Sequence, residues 1–181
     1  MSGLVRFGNV LAAGGLALVL ALGLVFQFML NELPCPLCYL QRAAFALCGM
    51  GFALNLRFGP QPGHYGLVLM GALVGIAASG RQVLLHIVPG TGSYGSAVFG
   101  LHLYTWALLL FLAIVAGVAV LLILSGSGRP DHMRSDALAA ARFTGLPRLM
   151  TYVLIVMVLA NAAVAFAQCG PIDCADNPTG Y

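Results

Sequence analysis

The chain has no lysine. Its eight basic residues are all arginine, and charged side chains of either sign make up only 7% of 181 residues. An ordinary soluble domain carries about 25%. With 61% hydrophobic residues and a mean hydropathy of +0.98, the chain has too few polar groups to cover a surface in water, so lipid must be its solvent. The net charge of +3 is too small and too scattered to point to nucleic acid. Internal repeats, a soluble domain and a His-x-x-x-His spacing are lacking as well. What the chain does have is cysteine. Cys35 and Cys38 form one close pair, Cys169 and Cys174 another, and Cys48 is left over.

A membrane span needs roughly 20 apolar residues to cross about 30 Å of hydrocarbon. Five stretches qualify, at about Val10 to Leu30, Tyr39 to Leu56, Tyr65 to Val88, Gly100 to Leu124 and Leu149 to Ala167. The second is the shortest and holds Gln41 and Arg42 near its start, where both are expected to snorkel to the interface. The first is expected to remain as a span rather than be cleaved. Its apolar run is too long for a signal peptide, and no small-x-small site precedes the first cysteine pair. The connections Arg57 to His64 and Pro89 to Phe99 are Gly/Pro-rich turns, and Ser125 to Arg148 is the one long polar segment.

Positive charge marks the cytoplasmic side of a membrane protein. In a five-span arrangement Arg6, Arg57, Arg129, Arg134, Arg142 and Arg148 fall on one side, and Glu32, Asp173 and Asp176 on the other. Arg42 and Arg81 depart from the pattern, and both lie within spans. The N-terminus is therefore expected inside and the C-terminus outside. Cys35, Cys38, Cys169 and Cys174 then share the outer face, the side on which disulfides persist. A four-span arrangement with a re-entrant segment would split the pairs between two compartments.

Cys35-Pro36-Leu37-Cys38 lies where the chain leaves the bilayer and a helix begins. That position argues against a packing role and leaves redox chemistry, metal binding or a structural clip. Pro34 and Pro36 suit a helix start. Unpaired N–H groups at that start favour negative charge, which lowers a thiol pKa at Cys38, as does a nearby arginine. Arg42 follows four residues later, on the same helix face one turn deeper. A guanidinium at that depth is costly without a partner, and a thiolate or an electron-rich ring would serve as one. Zinc is the rival reading, since the four paired cysteines could supply four sulfurs, but no histidine spacing supports it. A clip is the other, yet so small a ring removes little loop entropy.

Cys35-Pro-Leu-Cys38-Tyr-Leu-Gln-Arg42 resembles the signature of the disulfide bond formation protein B (DsbB) family. Phe26-Gln27-Phe28 is similar as well, as are Gly80-Arg81-Gln82-Val83 with His86 and Pro89 following, and Gly100-Leu101-His102 before Trp106. The resemblance covers about residues 5 to 124. It implies a four-helix membrane core that oxidises a periplasmic thioredoxin-like (DsbA-type) dithiol protein and passes two electrons to quinone, either ubiquinone or menaquinone. By motif match, Cys38 would hold the thiolate that meets the quinone and Cys35 would exchange with a second cysteine pair. Arg42 would stabilise negative charge beside the quinone, and Gln27 and Arg81 are further candidates for binding it.

The chain departs from that pattern in two places. The segment Pro89 to Phe99, where the family keeps its second pair, holds no cysteine, and a fifth span is added that ends in Cys169-Gly-Pro-Ile-Asp-Cys174. One reading is that the tail pair takes over as relay to the partner, with Gly170 and Pro171 favouring the turn that closes it. The other is a stable tail clip. Cys48 sits about 15 Å deeper than Cys38 along a helix and is expected to be a packing residue. His86 and His102 are expected to pack at the interface, with a proton path to the quinone as the sharper alternative. Tyr94, Tyr104 and Trp106 suit an interfacial aromatic belt, and Asn161 an interhelical hydrogen bond.

The expected fold is therefore all-α, a polytopic membrane bundle. Residues 1–124 form a four-helix core like that of the family, 125–148 a cytoplasmic loop, and 149–181 a fifth span with a periplasmic tail. The expected catalytic residues are Cys35, Cys38, Cys169 and Cys174, with no metal, in a multi-pass protein of the bacterial inner membrane. A non-catalytic accessory subunit braced by disulfides is the alternative from another class. An enzyme of the vitamin K epoxide reductase type is the alternative from the same class, and there the CxxC lies in a later helix.

Overall fold

A computed structural model describes residues 3–88, 90, 92, 95–125, 143–170 and 174. The expectations for Pro89, Tyr94, Arg129, Arg134, Arg142, Pro171, Asp173 and Asp176 lie outside these residues. Hydrocarbon offers a backbone amide no partner, so the apolar runs satisfy their own N–H and C=O groups as helices. Among the described residues, five helices are long and apolar enough to cross a membrane: α1 (Gly3–Met29), α2 (Pro36–Phe58), α3 (Pro62–His86), α4 (Leu103–Ser125) and α5 (Leu146–Cys169). The fold is an all-α polytopic membrane bundle.

Helix starts lie earlier than hydropathy alone placed them. Pro36, Pro62 and Pro147 each occupy the first turn of a helix, where proline's missing N–H costs nothing and its fixed φ suits the helix. The fifth helix thus opens at Leu146 rather than Leu149. The fourth opens later than expected, at Leu103 rather than Gly100. The residues before it form a two-stranded hairpin, β1 (Ala97–Val98) and β2 (Leu101–His102), with Val98 opposite Leu101. Phe99 (φ 53°) and Gly100 (φ 82°) make its turn, and positive φ at both central residues is what a two-residue hairpin of this twist requires.

α2 packs on α3, α3 on α4, and α1 on α2 and α5, while α1 and α4 touch sparsely. The core seam holds Ala13, Leu16, Leu20, Phe45, Cys48, Val68, Ala72 and Phe111. Phe45 and Phe111 stack with ring centroids 4.0 Å apart. Small residues bring α2 and α3 close: a Cβ on Gly71 would lie 3.0 Å from the Ala44 carbonyl oxygen. In lipid such close approach replaces a hydrophobic driving force as the source of helix association.

The bundle end remote from the first cysteine pair is fastened by polar side chains. Asn9 Nδ2 donates to Val5 O at 2.8 Å and to Tyr65 Oη at 2.9 Å, and Asn55 Nδ2 donates to Asn9 Oδ1 at 2.9 Å. Asn55 Oδ1 accepts from the Gln61 N–H at 3.1 Å, with His64 Nδ1 3.0 Å away. This cluster joins α1, α2 and α3 and leaves the opposite end to chemistry.

Candidate active site

Cys35 is the N-cap of α2, with extended backbone (φ −74°, ψ 164°), and its Sγ accepts the backbone N–H of Cys38 at 3.2 Å. An N-cap side chain is placed to accept such a bond, whereas a residue inside the first turn is not. The helix start therefore serves Cys35, not Cys38 as expected from sequence. A second donor comes from α3. Gln82 Nε2 lies 3.5 Å from Cys35 Sγ and 3.8 Å from Cys38 Sγ. Its amide is oriented by Gln41 Nε2, which donates to Gln82 Oε1 at 2.8 Å. Gln41 is accordingly buried rather than snorkelling. Hydrogen bonding from the Cys38 thiol, opposed by burial and aided by the N–H groups of Cys38 and Leu37 and by Gln82, lowers the Cys35 thiol from 9.0 to about 7.

Arg42 is the hub behind the cysteines. Its Nη1 donates to Gln27 Oε1 at 2.7 Å and Asn161 Oδ1 at 3.3 Å, and its Nη2 donates to Gly23 O at 2.8 Å. Its guanidinium carbon lies 5.5 Å from the Tyr39 ring centroid. Three helices, α1, α2 and α5, therefore share one half-buried cation. A cavity of about 390 Å³ opens where α1 and α4 pack sparsely, walled by Phe26, Cys38, Arg42, Phe45, Gln82 and Trp106 among others. The hairpin covers it. Glu32 Oε1 accepts the Ser96 N–H at 2.8 Å, and Trp106 Nε1 donates to Val98 O at 3.0 Å. Tyr104 stacks between His86 and His102, each 5.4 Å away centroid to centroid, and also lines the cavity. Trp106 and Tyr104 are thus part of the cavity wall and not only an interfacial belt.

The tail pair is disulfide-bonded, Cys169 to Cys174 with Cα atoms 4.4 Å apart, whereas Cys35, Cys38 and Cys48 are free. Gln168, next to Cys169, docks the end of α5 on the start of α2. Its Nε2 donates to Pro34 O at 3.0 Å, and its Oε1 accepts from Tyr39 Oη at 2.6 Å and from Gln27 Nε2 at 3.4 Å. The residue before each cysteine pair therefore touches the other.

Of the expected binding residues, Arg42 lines the cavity and Gln27 stands behind it, buried and bonded to Arg42. Arg81 is exposed and lines no part of the cavity. Consecutive helix residues point about 100° apart, so turning Gln82 onto the sulfurs turns Arg81 away. Cys48 is buried, with Sγ 3.4 Å from Val68 O, in keeping with packing. Among the described residues, no three His, Cys, Asp or Glu side chains converge on a metal position. Gln82 entered the sequence reading only within the Gly80–Val83 resemblance and without a role of its own, and Gln168 was not singled out. A lone glutamine on an apolar helix carries no spacing signal, and only its polarity within a span marks it.

Residues 5–93 match the model of a family described as disulfide bond formation protein DsbB. Over that stretch the chain is similar to the DsbB family. Curated proteins named Disulfide bond formation protein B are similar to it. One from Chromohalobacter salexigens is 32% identical over 90 residues, covering 47% of this chain and 52% of that protein. One from Azoarcus sp. strain BH72 is 36% identical over 77 residues, covering 40% and 46%. One from Nitrosococcus oceani is 39% identical over 77 residues, again covering 40% and 46%. The match spans about half the length of these relatives. No solved structure matches the chain significantly. The DsbB match holds Cys35, Cys38, Arg42 and Gln82, while Asn161, Gln168 and the tail pair lie beyond it.

Proposed function

We propose that the protein is a membrane thiol–quinone oxidoreductase that reoxidises a periplasmic thioredoxin-like dithiol protein of the DsbA type. It would sit in a bacterial inner membrane with the cysteine pairs on the periplasmic side, an orientation supported by the arginines at 129, 134, 142 and 148. The observation that carries the reading is the cavity that has Cys38 and Arg42 in one wall and aromatic rings in the others. A planar ring with carbonyl oxygens fits such a site. Phe26, Phe45 and Trp106 offer apolar faces, and Arg42 and Gln82 offer donors. Bound there, a quinone supplies an acceptor for two electrons and two protons.

The chain's own residues do the thiol chemistry. A partner thiolate attacks one sulfur of Cys169–Cys174, forming a mixed disulfide, and the partner's second thiol resolves it. The partner leaves as a disulfide and the tail pair as two thiols. The tail dithiol reduces the Cys35–Cys38 disulfide in the same way, and Cys35 and Cys38 regain their disulfide by giving up two electrons and two protons. The contact of Gln168 with Pro34 supports this route, because it brings the chain on either side of the transfer together. Hydrogen bonds onto Cys35 favour it as the sulfur exchanged with the tail: the tail thiolate attacks Cys35 and expels Cys38, and when the second tail thiol resolves the mixed disulfide, Cys35 leaves as a stabilised thiolate. Arg42 holds positive charge against the cavity, where negative charge develops during the oxidation of Cys38.

A partner lacking its resolving cysteine tests the route. It should be trapped on Cys169 or Cys174, and the Cys169→Ala/Cys174→Ala variant should lose oxidation of the partner while Cys35–Cys38 still reduces quinone from a small dithiol. Trapping on Cys35, or full partner oxidation by the double variant, would make the tail disulfide a clip.

A further inference from the structure

Arg42 separates two cavities. One is the 390 Å³ cavity with Cys38 in its wall. The other, about 630 Å³, lies between α2 and α5 and is lined by Ala43, Ala46, Met50, Leu154 and Ala162 among others. Arg42 borders both, and Asn161 borders only the second. An arginine with that much open volume on one side needs a reason to stay on the other. Gln27 and Gly23 pull it toward α1. On the side of the larger cavity, Arg42 meets the Tyr39 ring, with its guanidinium carbon 5.5 Å from the centroid, and the side-chain oxygen of Asn161.

Asn161 is built for that contact. It is buried, and its Nδ2 is used twice, donating to Met157 O at 2.8 Å and Leu20 O at 3.3 Å. With both donors committed to carbonyls, Oδ1 is the atom left to face the Nη1 of Arg42 at 3.3 Å. The same side chain thus fastens α5 to α1 and fixes the guanidinium against swinging into the second cavity. Asn161 lies on the fifth helix, beyond the residues matched by the family.

We propose that Asn161 is a positioning residue for Arg42, and that the added fifth helix thereby sets the affinity of the first cavity for a quinone-type acceptor. The inference rests on the quinone reading above. Asn161 does not touch the acceptor's cavity; it acts through Arg42. Removing its carbonyl frees the guanidinium to relax toward the larger cavity and removes its charge from the wall beside Cys38.

The chain's one tryptophan, Trp106, lines the first cavity and reports on it directly. Quenching of its fluorescence is to be titrated with ubiquinone-1 on the full chain in detergent. Asn161→Leu keeps the bulk and loses the amide, and should weaken binding about tenfold, the scale of one hydrogen bond to a charged group. In an Arg42→Met background the same substitution should change binding by less than about twofold, because a residue acting through Arg42 has nothing left to act on. Wild-type affinity in Asn161→Leu would overturn the proposal. So would equal weakening with and without Arg42, the mark of a purely structural role. A wild-type chain whose Trp106 does not respond to the quinone removes the quinone reading and this inference with it.

Discussion

Cys35 and Cys38 are three residues apart and chemically unlike. Cys35 caps the helix, receives the Cys38 N–H and the Gln82 amide, and has its thiol lowered to about 7. Cys38 lines the cavity. A thiol whose pKa falls on folding reacts at lower pH. It also stabilises the reduced folded state fully above the ordinary thiol range, and this stabilisation is lost as pH falls through about 7. Alkylation of Cys35 in the reduced chain should therefore rise with pH around a midpoint near 7. Gln82→Leu, which removes a donor to the sulfur, should move that midpoint upward. An unshifted midpoint in the variant, followed by iodoacetamide labelling across pH, would contradict the role given to Gln82. The cysteines and Arg42 were legible in the sequence because a CxxC and a charge inside a span are rare events there. Gln82 carried no such mark, and the conspicuous charge next to it, Arg81, is exposed and lines no part of the cavity.

The helices were legible as elements because lipid demands long apolar runs, and all five stretches appear as helices. Their ends were less so. Hydropathy falls at Pro36, Pro62 and Pro147 although the backbone is already helical there, and the Phe99–Gly100 turn interrupts a stretch that hydropathy joined to α4. The polar cluster of Asn9, Asn55 and Tyr65 could not be foreseen, since it joins residues from three helices with no local pattern. It predicts that the two ends of the bundle are separable. Asn55→Leu should lower stability by about 1–2 kcal/mol, read as a drop in thermal unfolding temperature in detergent. The alkylation profile of Cys35 should be unchanged. A changed profile would mean that the remote cluster also shapes the cysteine site.

At the scale of the whole molecule, the chain combines the DsbB match over residues 5–93 with a fifth helix that does three things. It carries the second cysteine pair, docks it through Gln168, and supplies Asn161 to Arg42. Sequence spacing brought the tail pair to the right end of the bundle by counting spans, but could not reveal the docking, because Gln168 and Pro34 are 134 residues apart. The central claim is that electrons from a protein dithiol cross this site to quinone. The most direct measurement is the stoichiometry of purified chain, a reduced thioredoxin-like partner and ubiquinone-1, following partner disulfide and quinol together. The account predicts one quinol for each partner disulfide, with both lost in Cys38→Ser. Partner oxidation without quinol, or quinol formation that survives Cys38→Ser, would contradict it.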